Sequence, residues 1–110
     1  MKQMELWYAD LNPVKGSEQK GFQPVVLISG DLVNKYLQVV ITCPLTTKIK
    51  NYKGNVVLSP NKENGLTKKS EIMIFHLRSI SKDRLIKKIG TITVDELNHL
   101  KQGLDDILRY

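Results

Sequence analysis

Pro24-Val25-Val26-Leu27-Ile28-Ser29 is an unbroken apolar run of strand length, and such a run reads as a central strand with both faces covered. Leu37 to Cys43, rich in β-branched residues, is a second run of this kind and is expected to pair with it. Outward from this pair, Glu5 to Leu11 reads as a first strand. Asn55 to Ser59 and Glu71 to Phe75 read as two more, His76 to Ile80 as a strand continuing after a bend, and Ile89 to Ile92 as a short one. Asn12 to Pro24 carries two glycines and two prolines and reads as a long polar loop. Pro44 to Gly54 is expected to leave the sheet as a basic loop, and Pro60 to Lys69, with Gly65, is turn chemistry.

The C-terminus has a helical period. Thr93 is a good N-cap and Glu96, three positions on, completes a capping box. Val94, Leu97, Leu100, Leu104, Ile107 and Leu108 then fall on one face. Gly103 is a weak point inside it, costing about 0.5–1 kcal/mol relative to Ala. Ser81 is placed to cap a short helical turn through Leu85. Short strands followed by one terminal helix predict a mainly β (α+β) class: a small, partly closed antiparallel barrel with a C-terminal helix packed on it.

The chain has 110 residues, 41% hydrophobic and 25% charged. That suits one soluble domain over residues 1–110 and is too apolar for a disordered chain. No apolar run approaches the roughly 18 residues a membrane span needs, and the first residues lack a signal-peptide core, so a cytoplasmic setting is expected. Cys43 is the sole cysteine and His76 and His99 the only histidines, which excludes an internal disulfide and makes a zinc cluster hard to assemble. Cys43 lies in an apolar stretch and is expected to pack as a small hydrophobe. The net charge of +6 is uneven: residues 46–88 hold eleven Lys and Arg against Glu63, Glu71 and Asp83, a net of +8. A basic middle segment suits a polyanion or a plain solvated surface.

The loops carry a resemblance. Trp7-x-x-Asp10-Leu11-x-Pro13 followed by Gly16-Ser17-Glu18-Gln19-x-Gly21-x-x-Pro24-Val25 resembles the N-terminal signature of the MazF/PemK/Kid toxin family. The likeness continues through Asn34, Pro44-Leu45-Thr46-Thr47, Val57-Leu58-Ser59, Arg78-Ser79-Ile80 and the final helix. It implies an SH3-like, CcdB-like barrel acting as a homodimer. It also implies a toxin that cuts single-stranded RNA or mRNA at short sequences with no metal or other cofactor. The implied step is attack of the ribose 2′-OH on its phosphate, leaving a 2′,3′-cyclic phosphate or 3′-phosphate and a 5′-OH. A cognate antitoxin with an acidic tail is the implied partner, with operator DNA bound through that antitoxin and no membrane.

Such a reaction needs a base, an acid and a donor to the crowded phosphate. The family's threonine corresponds to Thr46, whose hydroxyl serves the phosphate or only its own turn backbone. The family's arginine corresponds to Gln23, which has no charge to offer; Lys20 and Arg78 are the cations that would replace it. Phe75 stands where relatives have an acidic residue. If Phe75 faces the core, strand alternation turns the next residue, His76, toward the groove, where it would supply acid–base function or remain an ordinary polar residue. Glu18 is a general base or holds the loop. For RNA binding, Lys48, Lys50 and Lys53 with Tyr52 form one side and Lys20, Phe22 and Arg78 the other, phosphates held by cations and bases by rings. Gly16 and Gly21 supply turn freedom, and Lys82, Arg84, Lys87 and Lys88 form a solvated face. A catalytically weakened RNA- or antitoxin-binding module, and a gyrase inhibitor like CcdB, are the competing readings.

Overall fold

The structure is a computed structural model that describes residues 1–12 and 21–110. Among the described residues, seven strands form one curled antiparallel sheet: β1 Glu5–Asp10, β2 Phe22–Leu27, β3 Val39–Thr46, β4 Val56–Leu58, β5 Ser70–Ile72, β6 Arg78–Ser81 and β7 Leu85–Thr91. Their order is β4-β5-β3-β2-β1-β7, with β6 also on β3. Helix α1 (Asp31–Tyr36) links β2 to β3, and α2 (Val94–Arg109) closes the chain.

The unalternated run at 25–27 has the expected cause. β2 lies between β1 and β3, and its side chains serve two cores. Val26 joins Leu6, Cys43, Leu45, Ile72, Leu97 and Leu100 in a cluster that includes buried residues of α2. Val25 and Leu27 point the other way, to Ala9, Val40, Ile80 and Leu85. The capping box forms as read, with Glu96 N–H donating to Thr93 Oγ1 at 3.1 Å and Thr93 N–H to Glu96 Oε1 at 2.8 Å.

Several expectations need correction. β3 does not stop at Cys43; it runs through Pro44 to Thr46, because β5 pairs with it at Leu45 and Thr46. Pro44 lacks a ladder N–H, but its carbonyl accepts Met73 N–H at 2.9 Å. The strand predicted over 71–75 ends at Ile72, and Ile74–His76 form a 3₁₀ turn. α1 was not read from the sequence; Asn34 anchors it by donating to the Ser29 carbonyl at 2.9 Å. The final helix buries Leu97 and Leu100, whereas Val94 and Leu108 are exposed. Gly103 is a requirement of packing: a Cβ there would meet the Gly54 carbonyl oxygen at 2.5 Å and Ile74 Cδ1 at 2.9 Å. No helix among the described residues is long and apolar enough to cross a membrane.

Candidate functional site

Thr46 ends β3 opposite Glu71 of β5. On its other side, β2 and β3 pair as Val25↔Pro44, Val26↔Cys43 and Leu27↔Thr42. Continued two residues, that register brings Gln23 beside Thr46. The two share a hollow of about 430 Å³ with Tyr8, Phe22 and Lys68. Tyr8 and Phe22 meet edge to face there, centroids 6.2 Å apart. Thr46 also borders a second hollow of about 280 Å³, with Lys48, Lys50, Tyr52, Glu71 and His76. It therefore borders both hollows. Thr46 Oγ1 accepts Lys48 N–H at 3.1 Å, so the bond to its own turn does form. A hydroxyl that accepts in this way keeps its proton to donate.

His76 reaches the second hollow by a different route from strand alternation. Phe75 does not enter the core; it is 54% exposed. In the 3₁₀ turn the two residues are both on the surface, a period-two argument having no force there. The Phe75 ring instead meets Tyr52 edge to face, with centroids 6.2 Å apart. Tyr52 therefore has a ring partner and remains 52% exposed beside the second hollow.

Glu71 was missed as a site residue. It is 1% exposed, inside the most basic part of the chain. Its Oε1 accepts the N–H groups of Lys50 at 2.6 Å and Asn51 at 3.0 Å. Its Oε2 accepts Tyr52 N–H at 3.0 Å and Asn55 Nδ2 at 2.8 Å. Burial is the largest single influence on this carboxyl and pushes its pKa up. The bonds from Asn55, Lys50, Asn51 and Tyr52 together outweigh it, and the net displacement is downward. Asn55 Oδ1 in turn accepts Ile74 N–H at 3.1 Å, joining the basic loop to the turn that bears His76. The available signal was a lone carboxylate opening an apolar strand.

Other predicted residues lie apart. Lys53 faces α2, bordering a hollow with Gly54, Gly103 and Asp106. Arg78 is exposed on β6 opposite Thr42, four residues along β3 from Thr46, a separation of about 13 Å along the strand. That is too far for it to stand in for a guanidinium at Gln23. Arg84 is not part of a solvated face; its Nη1 donates to the carbonyls of Asp10 and Asn12. There it holds the end of β1, where Leu11 N–H also donates to the Gly21 carbonyl at 3.0 Å. Gly21 has φ +114°, and a Cβ there would collide with Asn12 Oδ1. Glu18, Lys20 and Gly16 lie outside the described residues. Cys43 is buried, which pushes its thiol up to about 12.

The chain is similar to known proteins over nearly its whole length. Residues 2–108 match the family model described as the PemK-like, MazF-like toxin of type II toxin–antitoxin systems. The chain belongs to that family. It is 34% identical to the endoribonuclease MazF of Staphylococcus saprophyticus over 107 residues, covering 96% of this chain and 88% of that one. Its fold matches MazF from Deinococcus radiodurans with a TM-score of 0.80 at 23% identity, over 100% of this chain and 97% of the other. It also matches a mycobacterial endoribonuclease solved with its cognate antitoxin, with a TM-score of 0.80 at 20% identity, covering 98% and 94% of the two chains. The curled antiparallel sheet with a C-terminal helix is thus the MazF fold. Gln23 and His76 line the two hollows that Thr46 borders, and Phe75 meets Tyr52 beside one of them.

Proposed function

We propose that this MazF-like toxin is an endoribonuclease that cuts single-stranded RNA in the Thr46 cleft by 2′-OH transesterification. The observation carrying this reading is the place of Thr46, between Gln23 in one hollow and His76, Lys48 and Lys50 in the other. The 2′-oxygen forms a bond to phosphorus as the bond to the 5′-oxygen breaks. The 2′-OH proton passes to the His76 imidazole, the side chain type best suited to proton transfer near neutral pH. The departing 5′-oxygen takes a proton from water. Thr46 Oγ1 donates to a nonbridging oxygen, while the Lys48 and Lys50 ammonium groups oppose the phosphate charge. Gln23 adds a neutral donor where a guanidinium would have added a charged one. The products are a 2′,3′-cyclic phosphate, or its opened 3′-phosphate, and a 5′-OH end.

The same basic cleft suits an acidic antitoxin segment, which would exclude RNA by competing for the same ammonium groups. Action as a homodimer, and contact with operator DNA only through the antitoxin, complete the proposal. The test is to incubate the protein with a long RNA in EDTA and map the ends. Cuts at defined sequences with 5′-OH ends are expected. RNA left intact by a large molar excess of protein, with RNA or antitoxin still bound, would overturn the proposal in favour of a weakened binding module. His76→Ala should slow cleavage and alter its pH profile; an unchanged rate and profile would remove the imidazole from the mechanism.

A further inference from the structure

Lys50, Asn51 and Tyr52 turn three successive N–H groups toward one point, with Asn51 at φ +55°. Successive amides arranged in this way make an anion-binding concavity. Here the anion comes from the chain itself: the Glu71 carboxylate fills the concavity and takes Asn55 Nδ2 as a fourth donor. Glu71 is in turn held by the sheet, opposite Thr46 on β3 and Val57 on β4. Asn55 passes the constraint on to the backbone of Ile74, in the turn that bears Phe75 and His76. Two side chains thus bring three pieces of the cleft to a common reference: the threonine strand, the lysine–tyrosine loop and the histidine turn.

We infer that Glu71 is a positioning residue for RNA, fixing through Asn55 and the loop amides where Lys48, Lys50 and Tyr52 stand relative to Thr46 and His76. The inference rests on the proposal that RNA is cut in the Thr46 cleft. A loop carrying several lysines repels itself, and without an internal anion it has no reason to hold one shape. The buried carboxylate supplies that anion and orders the loop before RNA arrives. The ordering cost then falls on folding and is absent from binding. Loss of the latch should therefore appear in substrate binding before it appears in the chemical step.

The experiment is steady-state cleavage of a short RNA containing one mapped site, at a temperature where circular dichroism shows each variant folded. Glu71→Gln keeps the shape but turns an NH₂ group toward two of the four donors. KM should rise about tenfold, the effect of one or two lost charge-assisted bonds, while kcat stays within about threefold. Adding Asn55→Asp to Glu71→Gln lets the new amide donate to the new carboxylate, and should recover at least part of the KM change. If Glu71→Gln does not fold, Asn55→Ala leaves the three amide bonds but cuts the link to Ile74 and the turn that bears His76, and should raise KM about threefold, with kcat lowered by no more than that. An unchanged KM in the folded variant, a fall in kcat alone, or no recovery in the pair would overturn the inference. A wild-type protein that leaves the RNA whole would instead overturn the cleavage proposal beneath it.

Discussion

Gly103→Ala separates helix preference from packing. On intrinsic preference the substitution should stabilise α2 by about 1 kcal/mol. The structure reverses the sign. The new Cβ would stand 2.5 Å from the Gly54 carbonyl oxygen and 2.9 Å from Ile74 Cδ1. Relief requires a shift of about 1 Å. The nearer obstacle is backbone, in a turn whose Gly54 already has φ +93°, so it cannot move aside as a side chain would. Overpacking of this kind costs about 1–3 kcal/mol. Taking the upper part of that range and subtracting the helical gain leaves a net loss of about 1–2 kcal/mol. For a chain this long the melting temperature should fall by about 4–8 °C. Urea unfolding followed by circular dichroism measures the loss, with Lys101→Ala on the exposed face as a control expected within about 0.5 kcal/mol of wild type. The displaced Gly54 should also move the lysine–tyrosine loop and raise KM for RNA. A Gly103→Ala protein as stable as wild type, or more so, would refute the close approach of loop and helix.

Three further outcomes are expected. Glu71 has a folded pKa below its ordinary 4.5, so its contribution is complete above 4.5 and lost as pH falls through the folded value. With Lys48, Lys50 and His76 bordering the same hollow, unfolding free energy measured from pH 7 to 3 should drop more steeply in wild type than in Glu71→Gln; parallel curves would contradict this. Gln23→Arg should raise the cleavage rate about tenfold or more by restoring a charged donor beside Thr46, and no gain in a single-turnover assay would separate residue 23 from the reacting phosphate. Cys43, with its thiol near 12 and buried, should resist a disulfide reagent at pH 8 until guanidinium unfolds the chain; rapid labelling of native protein would count against its packing.

The unbroken apolar run at 25–27 and the Thr93–Glu96 box were readable along the chain. Burial pattern and capping are set by residues within a few positions of each other, and β2 and α2 obey those local rules. The signature around Thr46 and the pairing of the two central apolar runs also lay in the residues themselves. Folding in three dimensions changed other assignments. β3 continues through Pro44 because β5, distant in sequence, meets it there, and the strand predicted through Phe75 breaks into a 3₁₀ turn that leaves the ring against Tyr52. Gly103 reads as a flaw in a helix until Gly54 is found against it. Glu71 reads as one more charge on a strand until three amides from twenty residues earlier close around its carboxylate. In each case the deciding partner lies far along the chain, and a short-range pattern cannot encode a contact created only when the sheet curls and brings the two segments together.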